Sequence, residues 1–150
     1  MSSLTDACEW RQGTYLISTD ITRLDLELIH NFLKRSYWAS GIPAEVVERS
    51  VENSLVFGLY KEGEQVGFAR VVTDCATFAY LADVFVMESH RGRGLSKWMM
   101  GVVFSHPRLQ GFRRWLLATQ DAHGLYRRYG FTGLARPEIF MEREDASYGV

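Results

Sequence analysis

The chain is poor in cysteine and proline and has almost no net charge, and each shortage excludes something. Cys8 and Cys75 are its two cysteines. A single, widely separated pair supplies neither a disulfide framework nor the close spacing of metal ligands, so no metal is expected. No apolar run approaches the roughly 20 residues of a membrane span. The N-terminal stretch MSSLTDACEWRQG lacks the apolar stretch of a secretory signal. No membrane partner and a cytoplasmic location are therefore the expectations. With 17 Lys and Arg against 18 Asp and Glu, the net charge is −1, so no nucleic-acid partner is expected either. Neither repeats nor a linker interrupt the 150 residues, and residues 1–150 are expected to form a single domain with its own core.

Charge is unevenly placed. Residues 91 to 128 hold eight Arg or Lys against Asp121 alone, whereas 41 to 90 hold eight Asp or Glu against Arg49, Lys61 and Arg70. Such a division suits an anionic ligand on one side and a cationic one on the other, or simply two solvated faces.

The apolar pattern alternates between helical and strand periods. GTYLIS (13–18) reads as a strand, and Leu24, Leu28, Ile29, Phe32 and Leu33 as one face of a helix over 23–36, capped by Asp20 or Thr22. A shorter helix is expected over 43–53, with Pro43 near its first turn. Residues 54–60 and 65–74 form a hairpin about Gly63, and FAYLADVFV (78–86) is a third strand carrying one acid, Asp83. A helix over 94–105, a strand over 112–120, a short helix over 121–130 and a last strand over 137–144 complete the series. The order predicts a mixed α+β sheet.

Between the third strand and its following helix lies Arg91-Gly92-Arg93-Gly94-Leu95-Ser96. The first turn of a helix leaves backbone N–H groups without partners, and its dipole favours anions. Glycines let the backbone approach a ligand closely, and arginines add charge at the rim. Leu95, Trp98, Met99, Val102 and Val103 bury the helix that holds the loop. A pyrophosphate fits such a cradle. GRG is not GxGxxG and GK[ST] is missing, so dinucleotide-binding and P-loop readings both fail.

This hexapeptide, the apolar strand before it and Ala122-x-x-Leu125-Tyr126-x-x-x-Gly130-Phe131 resemble the GNAT superfamily (Gcn5-related N-acetyltransferases) over residues 13–144. The family motifs are Q/R-x-x-G-x-G/A and A-x-x-L-Y-x-x-x-G-F; Ser96 stands where the first has Gly or Ala. The resemblance implies a single-domain fold with a mostly antiparallel twisted sheet, splayed in the middle and flanked by helices. It implies acetyl-CoA as donor, with the pantetheine arm along Val84, Phe85 and Val86 and the pyrophosphate on residues 91–96. Thr119 stands where the family often has a cofactor-contacting Asn, and Ala122 opens the second motif. Tyr126 matches the family's general acid, and its alternative is a packing role.

Asp83 is either the base or amine anchor, or a buried structural acid. Asp74 is a second acidic candidate at the acceptor site, and His123 a possible relay. Tyr37 and Trp38 are expected to wall the acceptor site, or to close the core beneath a loop. The implied activity is acetyl transfer to a primary amine, of a cationic small molecule or else of a protein N-terminus or lysine. An inactive acyl-CoA-binding or protein-interaction module is the alternative, and a homodimer is compatible with exposed edge strands near the C-terminus.

Overall fold

The strands are laid down in chain order. In the computed structural model, which describes residues 6–146, the sheet runs β1-β2-β3-β4-β5-β6. A strand absent from the sequence reading, β1 (Glu9–Gln12), pairs with β2 (Tyr15–Ser18) through a turn at Gly13. The expected hairpin is β3 (Leu55–Lys61) and β4 (Glu64–Thr73), followed by β5 (Phe78–Val86). All these pairs are antiparallel, and only β6 (Arg114–Leu117) runs parallel to its neighbour, β5. A parallel pair needs a crossover, which here is α3 (Leu95–Ser105).

The helices are shorter than their apolar periodicity. In α1 (Leu26–Leu33) the cap is Asp25, whose carboxylate accepts the Leu28 N–H at 3.0 Å. Asp20 caps a separate 3-10 turn, Ile21–Arg23, through the Thr22 N–H. The remaining helices are α2 (Ala44–Glu52), entered through Pro43, and α4 (His123–Arg127).

The strand expected over 137–144 does not form. Pro137–Ile139 is a 3-10 turn, and the following residues pair with no strand. Proline removes a ladder donor. The charged stretch beyond it makes local contacts instead, Arg143 to Asp145 at 2.9 Å, and Met141 is 99% exposed.

Two clusters sandwich the sheet. Ile17, Phe57, Val71, Leu81, Met99 and Val103 lie on the α3 face, and Ile29, Leu33, Val47, Val56 and Phe68 on the α1–α2 face. Burying each such side chain contributes about 1.5–3 kcal/mol, which fixes the helices against the strands.

One irregularity in β5 shapes the gap beside it. Phe68 pairs with Phe85 but Arg70 with Ala82, so β5 carries one extra residue against β4. At this bulge Asp83 takes φ +56, a left-handed conformation uncommon for a residue with a side chain. Ala79 and Leu81 belong to the α3 face before the bulge; beyond it Val86 does, while Phe85 points to the α1–α2 face. A single inserted residue has exchanged the two faces of the strand. Pairing with β6 ends at Leu81–Leu117, so residues 82–86 border an open gap.

Candidate functional site

The loop before α3 is shaped as its glycines suggest. Gly92 and Gly94 have φ +78 and +74, and a Cβ on either would meet nothing within 4 Å. Gly94 is the N-cap of α3, no side chain caps this helix start, and its first turn holds no acid. The first backbone N–H groups of an 11-residue helix are thus left to an external acceptor. A cavity of about 470 Å³ opens there, bordered by Arg91, Gly92, Gly94, Leu95 and Ser96, with Lys97 and Arg128 adding positive charge. Arg93 is exposed and its guanidinium lies 3.5 Å from the Tyr15 hydroxyl, which in turn is 2.9 Å from His90 Nδ1.

The gap offers backbone groups of its own. Met87 donates its N–H to the Val66 carbonyl at 2.7 Å, so Met87 faces β4. By strand alternation Val86 and Val84 turn their N–H and C=O groups the other way, into the gap. Arg91 Nε holds the Val86 carbonyl there at 2.8 Å. Phe85 turns its backbone to β4, and its ring stacks on Phe32 at 4.0 Å. Gly67 is required opposite, because a Cβ would stand 2.9 Å from the Phe85 carbonyl oxygen.

Tyr126 is buried on α4 at 8% exposure and lines a cavity with Leu117 and Thr119 at the end of β6. Burial pushes its phenol up to about 12, with Tyr37 and Asp121 adding to the shift, so the hydroxyl stays protonated and within electrostatic reach of both. Its alternative packing role is also present, since its ring lies edge-on to Phe131 at 6.0 Å. Thr119 Oγ1 accepts the Ala122 N–H at 3.0 Å, and both serve the turn into α4. His123 is exposed.

A further cavity, of about 720 Å³, lies between α1, the loop after it and the end of β5. Phe32, Tyr37 and Trp38 wall it, and Asp25, Glu27, Glu88 and Asp121 outnumber Arg35 and Arg91 on its lining. Glu88 and Asp121 carried no role in the sequence reading. Asp121 was visible there as the single acid in a basic stretch, but nothing in the sequence joined it to a loop 80 residues earlier.

Both oxygens of Asp83 are occupied. Oδ1 accepts the Trp38 indole N–H at 2.9 Å and Oδ2 the Arg70 Nε at 2.8 Å, with the two ion-pair side chains 17% and 9% exposed for Arg70 and Asp83. Asp74, expected at the acceptor site, requires correction. It occupies the β4–β5 turn, where its carboxylate accepts from the Ala76, Thr77 and Phe78 N–H groups and the Thr77 hydroxyl. These bonds hold its pKa well below the usual carboxylate range. From Phe78 to Val84 is roughly 20 Å of strand at about 3.3 Å per residue, so Asp74 lies at the wrong end of β5. The basic surplus divides in the same way. Arg91, Lys97 and Arg128 border the loop cavity, whereas Arg108 contacts Cys75 and Arg113 contacts Thr77 at the far end.

Comparison with known proteins agrees with this geometry. Residues 52–133 match the acetyltransferase (GNAT) domain family. A Gibberella zeae protein designated an acetyltransferase is 33% identical over 149 residues, covering 84% of this chain and 83% of its own. The crystal structure of a Xanthomonas campestris protein assigned to the GNAT family is 52% identical with a TM-score of 0.87, covering 90% of this chain and 96% of that one. A Clostridium acetobutylicum protein solved with acetyl-CoA shares the fold at 13% identity and a TM-score of 0.64, over 87% of this chain and 94% of its own. With the glycine that caps α3, the gap between β5 and β6 and these relatives, the chain belongs to the GNAT acetyltransferases.

Proposed function

We propose that the protein transfers the acetyl group of acetyl-CoA to a primary amine of a small cationic molecule, by direct attack. The observation that carries this reading is Tyr126, a buried phenol whose pKa is pushed up to about 12, on α4 beside Leu117 and Thr119 at the end of β6. Such a group holds its proton at neutral pH, so it can donate a hydrogen bond to the sulfur as the C–S bond breaks and pass the proton to it as the thiol forms.

The amine lone pair forms a C–N bond to the thioester carbon, and the charge that builds on the carbonyl oxygen meets a backbone N–H of β5 facing the gap, at Val84 or Val86. The C–S bond then breaks, sulfur takes the Tyr126 proton, and the phenolate is reprotonated from water. The diphosphate rests on residues 91–96, where the helix N-terminus and Arg91 supply donors and charge. The acid-rich cavity beside Tyr37 and Trp38 receives the acceptor, with Glu88 and Asp121 drawing its ammonium form and water taking up the proton it must lose. Asp83, with both oxygens bound, anchors the strand instead of acting as base.

Thiol release from acetyl-CoA, measured against diamines, amino sugars, amino acids and lysine peptides, tests this reading. Turnover favouring small cations supports it, and turnover favouring peptides moves the acceptor to protein. CoA binding without turnover on any amine would leave a binding module.

A further inference from the structure

In the acetyl-transfer reading, β5 and β6 must stand apart by a fixed width, yet residues 82–86 lack a partner strand on the gap side. A chain of side-chain contacts crosses that opening. Arg70 on β4 donates Nε to Asp83 Oδ2 at 2.8 Å and a terminal nitrogen to Ser54 Oγ at 3.1 Å. Asp83 Oδ1 accepts the Trp38 indole N–H at 2.9 Å. The Trp38 ring stands edge-on to Tyr37, centroids 5.1 Å apart and planes at 81°. The Tyr37 hydroxyl accepts the backbone N–H of Gln120, just beyond the end of β6, at 2.9 Å.

We infer that Arg70 is a positioning residue for acetyl transfer: acting through Asp83, Trp38 and Tyr37, it pins the β5 bulge and sets the width of the gap. The inference rests on the acetyl-transfer reading, and three features support it. The bulge decides which N–H groups face the gap, because a one-residue slip would turn Phe85 into it and Val84 and Val86 away. The bulged residue is an aspartate in a left-handed conformation, held by a donor on each carboxylate oxygen. A largely buried ion pair is a weak stabilising device compared with apolar residues of the same volume, so its presence at the bulge points to geometry. No member from Arg70 to Trp38 need touch a reacting atom for the effect to reach Tyr126, because Tyr37 is coupled both to Gln120 and to the Tyr126 phenol.

The test uses the full chain as wild type, Arg70→Met, Arg70→Lys and Trp38→Phe, the last deleting the indole N–H while keeping an aromatic ring. Acetyl-CoA affinity by calorimetry, kcat and KM by thiol release, and the Gln120 amide resonance in ¹⁵N-labelled protein are read together. We expect Arg70→Met to lower kcat by about tenfold or more, the scale of ångström misplacement of reacting groups. CoA affinity should change little, since residues 91–96 are untouched. Arg70→Lys should recover part of kcat, and Trp38→Phe should reproduce the loss. The Gln120 amide should move in Arg70→Met although three side chains, those of Asp83, Trp38 and Tyr37, separate the two residues.

A folded Arg70→Met with wild-type kcat overturns the inference. So does a loss of kcat that merely follows the folded fraction, or a stationary Gln120 amide. Should Arg70→Met fail to fold, Trp38→Phe decides by the same criteria. A wild type that binds no CoA sinks the acetyl-transfer reading instead, and the Gln120 amide still decides whether Arg70 controls the gap.

Discussion

Arg91 and Val86 tie the loop before α3 to the strand edge: the guanidinium Nε donates to the last carbonyl of β5 at 2.8 Å. The anion cradle and the strand edge are thereby held as one unit, and the arginine keeps its remaining donors for a ligand. Removing a charged hydrogen-bond donor costs roughly 1.5–3 kcal/mol. Arg91→Ala should therefore weaken CoA binding by about tenfold or more, and flatten its salt dependence. Calorimetry at two ionic strengths checks this, and undiminished affinity would place the diphosphate elsewhere.

Tyr126→Phe keeps the ring against Phe131 and removes only the proton. If the phenol is the acid, kcat should fall by about 10²–10⁴ while CoA affinity stays unchanged. The sign of its pH effect follows from burial. Burial pushes the phenol's pKa up to about 12 from its ordinary 10, so the neutral form is favoured by folding. Its contribution to stability is complete below pH 10 and disappears as pH rises towards 12. A pH–rate profile should accordingly show no loss from this group below pH 10, and wild-type kcat in the Phe variant would remove it from the chemistry.

Gly94 and Gly111 separate ligand contact from backbone strain. Their φ values are +74 and +78, and an added Cβ meets nothing within 4 Å at either. Both Ala variants should therefore lose comparable stability, on the order of 1–2 kcal/mol. Only Gly94→Ala, and Gly94→Val more strongly, should lose CoA affinity, because only Gly94 caps the helix at the cradle. Equal CoA affinity in the Gly94 and Gly111 variants would show that strain alone is at work.

The candidate donor side could be proposed from the sequence because its parts are local. A glycine-rich loop and the helix it enters lie within fifteen consecutive residues, and Tyr126 sits in its own short motif. The acceptor side was not, because Tyr37, Trp38, Asp83, Glu88 and Asp121 meet only through long-range folding. Asp83 stood out as an acid in an apolar strand, but its partner Arg70 lies on the neighbouring strand, and nothing in the spacing reveals a bulge. Asp74 misled for the converse reason: an acid at a strand end looks available, whereas its local turn consumes both oxygens. The last strand failed because alternation alone cannot supply a pairing partner beyond Pro137.

Asp74→Ala tests the corrected placement. The fully exposed carboxylate organises the β4–β5 turn and lies far from the gap, so the variant should melt lower while keeping wild-type kcat/KM for the acceptor. A variant that melts normally and loses acceptor kcat/KM would return Asp74 to the site.

His106 makes stability fall on acidification without involving the site. It is 3% exposed, edge-on to Phe57 and tilted against Trp10. Its Nδ1 accepts the Arg108 N–H at 3.1 Å, so the neutral ring carries its proton on Nε2. Burial, and then the charge of Arg108, hold its pKa below 6.5. The unfolded chain thus binds a proton more readily than the folded one just below pH 6.5, and stability rises with pH across that interval. The contribution is complete above 6.5 and is lost as pH falls through the depressed folded value. Urea unfolding of wild type should show a lower midpoint at about pH 5.5 than at about pH 7.5, and His106→Gln, lower overall, should lose that difference. An unchanged difference in the variant would assign the acid sensitivity to other groups.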